Sequence, residues 1–334
     1  MRRHALVLGL VALLALTGCS GSEPVTGAPA GPTDAPSTPV ASRQTPAEAE
    51  RTMASLRRVD DLPLYEMTYV GDYDAQAGLD RPTPSPVGCS LFAALGDRDR
   101  PLFARNFDWD PNPAMVLRTD PPDGYASVSL VDISYLGLGA DPTGDRRLLD
   151  APLLPFDGMN ERGLAVGLAA DDNARAEPVP GLPRVGSVRI LRLVLDEAAT
   201  VAEAVRVFQR YNLDFEGGPP LHYLLADETG ASAVVEFVDG RMRVQPGGGS
   251  WQALTNVPVV DVPEQRRRDD RRYRVLAEAL TAAHGRLDAP AALELLDDVR
   301  QGHTRWSVTY GLRSGEVRVV TATGGRREYR LPPA

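Results

Sequence analysis

The chain has 334 residues, 36 basic and 45 acidic, for a formal net charge of −9 and a hydrophobic content of 43%. That length predicts one large domain or two small ones around a real core, and the acidic balance argues against a nucleic-acid partner, whose footprint is a basic face. Two cysteines, Cys19 and Cys89, exclude a disulfide-rich scaffold and a cysteine-based zinc cluster.

Arg2 and Arg3 open the chain, Ala5 to Leu16 is an unbroken apolar run, and Leu16-Thr17-Gly18-Cys19 follows. This pattern reads as a secretory signal over residues 1–18, too short to span a bilayer. It resembles a bacterial lipoprotein signal ending in a lipobox. That resemblance implies a lipid on Cys19 and a location on the extracytoplasmic face of the cell membrane. Cys89 would then be the one free thiol in an oxidising compartment, where unpaired cysteines are unusual.

Residues 19–46 are mostly Pro, Ala, Thr, Ser and Gly. Such a stretch has too little to bury to offset its ordering entropy, so a disordered tether is expected. From Ala47 the composition is globular, with no repeat and no second linker, which predicts one domain. Residues 47–88 form a leading segment, and 89–334 carry the main body.

Glu48 to Arg58 reads as a helix and Leu64 to Val70 as an extended segment. Ser90–Ala94 and Pro101–Asn106 read as strands joined by a turn at Gly96-Asp97-Arg98, and Tyr125–Tyr135 alternates in the same manner. Gly163–Ala169 fits a buried strand. Thr200 to Glu203 is a capping box opening a helix with Val201, Val205 and Phe208 on one face. Tyr223–Ala226, Ala233–Phe237 and Met242–Gln245 read as a meander turning at Asp239-Gly240. Helices are expected over Arg271–Ala283 and, capped by Asp288, over Pro290–Arg300. Strands at Trp306–Leu312 and Glu316–Thr321 close the chain. Strand runs, then helices, then strands indicate an α+β layered fold.

Cys89 follows Gly88 and opens the first strong strand pattern. Arg105 and Asp108 fall at the end of the strand that pairs back on it. A cation there stabilises a thiolate, and a carboxylate orients an amine or imidazole. Four histidines are candidates for the base. His4 is lost with the signal, His284 sits at a helix end, and His222 and His303 each precede a strand. The other candidate is the α-amino group of Cys89 itself, freed by cleavage after Gly88. An α-amine titrates near ~7.7–8.0, which suits base work at neutral pH.

Cys89-Ser90-Leu91-Phe92, Arg105-Asn106-Phe107-Asp108-Trp109, Asp157-Gly158-Met159-Asn160-Glu161-Arg162-Gly163-Leu164 and Leu254-Thr255-Asn256 together resemble the choloylglycine hydrolase group. These are linear amide C–N hydrolases of the N-terminal-nucleophile superfamily, which includes penicillin V acylases. The resemblance runs from about Leu64 to Tyr310. It implies a four-layer αββα sandwich, autocatalytic removal of the residues before the cysteine, and hydrolysis of non-peptide amides.

Carried over by motif, Cys89 is the nucleophile and its freed amine the base. Arg105 tunes the thiol, Asp108 holds the amine, and Asn256 donates to the oxyanion. Arg272, within Arg271-Arg272-Tyr273-Arg274, is the candidate for the second arginine of the network. Val166–Asp172 lacks the Asn or Tyr that bile-salt hydrolases place there, so the second oxyanion donor is left open and bile-salt specificity gains no support.

The partner implied is a small N-acyl amide, with no cofactor and no metal. N-acyl amino acids, acyl-homoserine lactones, penicillins and N-acyl amines all stay within reach. An acyltransferase on the same site and a non-catalytic surface-binding lipoprotein are the alternatives.

Overall fold

Residues 39–80, 88–215 and 220–331 are described by a computed structural model, so the signal, Cys19 and most of the expected tether lie outside the described residues. Two sheets dominate. The larger has nine strands, in spatial order Arg57–Asp60, Leu64–Thr68, Ala114–Thr119, Ser127–Asp132, Pro155–Asn160, Ala165–Ala170, Leu221–Ala226, Ser232–Val238 and Arg241–Pro246. All its pairings are antiparallel except that of Leu64–Thr68 with Ala114–Thr119. The smaller is wholly antiparallel, in the order Trp251–Leu254, Gly88–Ala94, Leu102–Asp108, Thr304–Gly311, Glu316–Thr321 and Arg326–Arg330.

Helices Ile190–Glu197 and Val201–Gln209 pack on the large sheet, and Arg271–Ala282 and Ala289–Asp298 on the small one. The sheets face each other between them, giving the four αββα layers that the motifs imply. Sandwiching explains why Gly88–Ala94 and Leu102–Asp108 are buried at every position, since both faces of each strand are covered. Between the sheets, a Cβ on Gly167 would stand 2.7 Å from Leu91 Cδ2, so any larger residue there would have to push that side chain aside. A second core lies under the outer helices, where Tyr273, Leu276, Leu280 and Leu296 cover Phe92, Ala104 and Ala253.

Chain order begins earlier than the composition of the tether suggests. Ala41 is buried, and the N–H groups of Val40 and Ala41 donate to Asp150. A capping box on Thr45 and Glu48 then starts the helix Pro46–Ala54. The leading segment is built into the large sheet: Leu64–Thr68 is its second strand, with Leu64, Tyr65 and Met67 buried. Further on, buried Tyr73 donates its hydroxyl to Asp196 at 2.8 Å, and Arg192 pairs with that carboxylate at 2.7 Å.

Asp132 ends a strand inside this body. Burial pushes its carboxyl up to about 6, against the Ser134 hydrogen bonds that favour its charge. The folded value lies above the unfolded one, so the folded chain holds the proton between about pH 4 and 6, and stability falls as pH rises across that window. Asp132→Asn is expected to flatten that slope and to raise the unfolding free energy at pH 7 by up to about 3 kcal/mol. Denaturant melts at pH 4.5 and 7 read both effects, and an unchanged slope would contradict them.

Candidate active site

Antiparallel pairing of Gly88–Ala94 with Leu102–Asp108 sets Leu91 opposite Arg105 and Gly88 opposite Asp108. Alternation along the two strands points Cys89 and Arg105 into the space between the sheets. There Arg105 Nη2 donates to Cys89 Sγ at 2.9 Å. Its Nη1 donates to Asp157 Oδ2, also at 2.9 Å, and to the Phe156 carbonyl. Asp157 lies on the opposite sheet, so this ion pair, with both side chains fully buried, ties the layers together at the thiol. The Tyr310 hydroxyl and, at 3.5 Å, Trp306 Nε1 donate to the same carboxylate.

The other side of Cys89 is held by its backbone. Its N–H donates to Asn256 Oδ1 at 3.1 Å. Arg272 Nη2 donates to the same oxygen at 2.9 Å, and Arg272 Nη1 to the Cys89 carbonyl at 2.7 Å. Two donors on one side fix which end of the Asn256 amide is oxygen. Asn256 Nδ2 donates to the Ala170 carbonyl at 2.8 Å, which leaves its second hydrogen for an oxyanion. Arg272 sits in the first turn of its helix, where a cation opposes the helix dipole; reaching back to Cys89 gives it a reason to be there.

Asp108 stands behind Gly88. It accepts from Gln301 Nε2 and Thr304 Oγ1, and Arg272 Nη1 lies 3.8 Å from it. A Cβ on Gly88 would stand 3.0 Å from Asp108 Cβ, 3.2 Å from Gln301 Nε2 and 3.3 Å from His303 Nε2. A side chain there would push into this cluster. If the chain is cut after Gly88, as the resemblance implies, Gly88→Val is accordingly expected to slow that cut by at least about tenfold, read as the persistence of uncut chain on a denaturing gel. Cutting at the parental rate would contradict the tight packing.

Burial pushes the Cys89 thiol up; the Arg105 charge opposes that, and Asp108 adds to it. Burial likewise raises the Asp157 carboxyl, against the pull of Arg105 and of the Tyr310 and Trp306 donors. Both shifts favour the neutral forms, and the Cys89 side chain is fully shielded from solvent.

All five residues expected to carry chemistry thus come together: Arg105, Asn256 and Arg272 each contact Cys89, and Asp108 lies opposite Gly88 on the strand paired with that of Cys89. Of the described histidines, only His303 comes near: it is exposed, and its Nε2 would stand 3.3 Å from a Cβ on Gly88. Both ring nitrogens of His222 are occupied, by Glu236 and by the Thr255 carbonyl. His284 is exposed at a helix end, and His4 lies outside the described residues. Asp157 was visible only as part of a motif, with no role attached. Gln301, Thr304, Trp306 and Tyr310 carry no local signal for the site, because the strand Thr304–Gly311 and the turn before it reach the site from some 200 positions further along the chain.

A family model described as linear amide C-N hydrolases, choloylglycine hydrolase family, matches residues 89–265. The penicillin V acylase of Pectobacterium atrosepticum is 30% identical over 193 residues, 52% of this chain; the chain spans about half the length of this curated relative, 50%. Among solved structures, a mutant of the conjugated bile acid hydrolase from Clostridium perfringens superposes with a TM-score of 0.57 at 17% identity, covering 73% of this chain and 92% of that one. Penicillin V acylase from Agrobacterium tumefaciens gives 0.53 at 20% identity, covering 73% and 86%. Those two likenesses carry the fold, and the matched family region begins at Cys89 itself. The chain belongs to the linear amide C–N hydrolases of the choloylglycine hydrolase family.

Proposed function

We propose that this protein is an N-terminal-cysteine amidohydrolase that cuts a linear, non-peptide C–N amide bond of an N-acyl substrate after cutting its own Gly88–Cys89 bond. The observation that supports this reading is the convergence on one residue: Arg105 on the Cys89 sulfur, Asn256 on its nitrogen, Arg272 on its carbonyl.

Self-cutting comes first, because the thiol of the uncut chain is fully buried and offers an outside substrate no approach. Cys89 Sγ attacks the Gly88 carbonyl carbon and passes its proton to the Cys89 nitrogen, which leaves as an amine. The resulting thioester takes up water, giving the Gly88 carboxylate and the thiol. The new α-amine stays where Asn256 Oδ1 accepted the amide N–H.

An ordinary α-amine titrates at about 7.7–8.0, a range in which one at Cys89 takes the thiol proton in the next cycle. The thiolate adds to the substrate carbonyl, the amine product departs with the proton, and water releases the acid. The free Nδ2 hydrogen of Asn256 is placed to meet the oxyanion, a donor worth about 3–4 kcal/mol in comparable sites. Purified mature protein is expected to release free amine from a panel of N-acyl amides, and iodoacetamide to stop it. No release from any of them would refute the proposal.

The Cys19 motif supports a further part of the reading, an anchor by lipid at the extracytoplasmic membrane face. Cutting at Gly88 then separates the anchor from the catalytic body unless the leading segment stays docked. Leu64–Thr68 inside the large sheet and the Tyr73–Asp196–Arg192 contact favour retention. The two pieces are expected to co-elute by size exclusion and to part only in denaturant. Release of the larger piece from membranes on cutting would contradict this.

A further inference from the structure

His222 lies in the strand Leu221–Ala226 and is fully buried. Its two ring nitrogens both face acceptors. Nε2 is 2.7 Å from the Thr255 carbonyl oxygen, and Nδ1 is 3.0 Å from Glu236 Oε1. A carbonyl only accepts, so Nε2 carries a hydrogen.

Glu236 cannot easily supply the hydrogen for the other contact. Its Oε1 accepts the Val259 N–H and its Oε2 the Val260 N–H, both at 2.7 Å, an arrangement that suits the carboxylate. Nδ1 must then carry a hydrogen as well. Asp171 Oδ2, 4.0 Å from Nδ1, adds a second buried negative charge facing the ring, and buried charge without a partner is costly.

We infer that His222 is a doubly protonated, positively charged ring that positions Asn256 for its work on Cys89. Its Nε2–H fixes the carbonyl of the peptide bond leading into Asn256, while its partner Glu236 pins the Val259 and Val260 N–H groups just beyond. The segment carrying Asn256 is clamped on both sides. His222 touches no reacting atom and acts through Asn256 alone. The charge state stands on hydrogen-bond geometry; the positioning role rests on the amidohydrolase reading.

The test starts with ring-15N-labelled mature protein near pH 7. His222, identified by the signal lost in His222→Gln, is expected to show a hydrogen on each ring nitrogen, unchanged by EDTA. One bare nitrogen, or one divalent ion per chain by native mass spectrometry, would overturn the charged ring. Asp171, His222 and Glu236 come within 4.8 Å of one another, so the metal measurement is a real alternative outcome. In the same His222→Gln variant, kcat for amide hydrolysis is expected to fall about ten- to a hundredfold with KM within about twofold, the size of effect a displaced catalytic group produces. A parental kcat, or a change in KM alone, would overturn the positioning role. If that variant does not fold, His284→Gln and His303→Gln identify the His222 signal by elimination, so the spectrum still decides the charge, and Glu236→Gln is expected to lower kcat in the same way. Failure of the parental protein to hydrolyse any amide would count against the amidohydrolase reading and leave the ring charge standing.

Discussion

Cys89→Ala is expected to leave the chain in one piece and to lower amide hydrolysis by about 10⁴-fold or more, the scale on which other hydrolases lose activity with their nucleophile. One side chain supports both reactions, so both fall together. In the proposed mechanism the sulfur that Arg105 holds at 2.9 Å attacks first the Gly88 carbonyl and then the substrate. Alanine removes that atom and little volume, so the fold is expected to survive, with Leu91, Phe103 and Phe107 still closing the layer around it. A denaturing gel follows the cut and amine release follows the activity. Cys89→Ala protein that is still cut at Gly88 would show that another group performs the attack. Cys89→Ser separates the steps: the oxygen is the weaker nucleophile, so slow cutting with weak hydrolysis is expected.

Arg105→Leu is expected to damage stability and chemistry by separable routes. Asp157 is fully buried and loses its ion-pair partner, and leaving one buried charge unpaired costs about 3–5 kcal/mol. The carboxyl then escapes the penalty only by taking a proton. Its folded value lies further above the unfolded one in the variant, so the loss should be small near pH 4 and grow as pH rises through the neutral range. Adding Asp157→Asn removes the stranded charge. The double variant is expected to recover most of the stability at pH 7.5 while cutting itself as poorly as the single one, since the sulfur still lacks its cation. Denaturant melts at pH 4.5 and 7.5, with the gel assay alongside, test both halves. Restored cutting in the double variant would mean that Arg105 serves the fold rather than the thiol.

Much of this site is written locally. Cys89 after Gly88, Arg105 and Asp108 three residues apart, and Asn256 after a buried strand are each short patterns, and strand pairing brings them together because alternation fixes which face each residue takes. The layers were legible for the same reason wherever periodicity is clean, as in the helix Arg271–Ala282 with its buried stripe of Tyr273, Leu276, Ala277 and Leu280.

Sequence reading fails where burial erases the pattern. The helix Ile190–Glu197 is only eight residues long, and its polar side, Arg192 with Asp196, is itself buried against Tyr73, so the short pattern does not mark a solvent face. Pro155–Asn160 contains Asp157, Gly158 and Asn160, types that strands usually avoid; it is held between two paired strands, and Asp157 answers Arg105 across the sheets. The His222–Glu236 pair was illegible as well. Its meaning depends on which acceptor faces each ring nitrogen, and those acceptors come from Thr255 and from the Val259–Val260 turn.

Intact mass and N-terminal sequence of the purified mature protein test the central claim most directly. A large piece whose first residue is Cys89, recovered together with the leading piece that ends at Gly88, is the result expected. A single chain running through Gly88 into Cys89 in protein that hydrolyses amides would contradict it, since no α-amine would then exist at Cys89 to act as base.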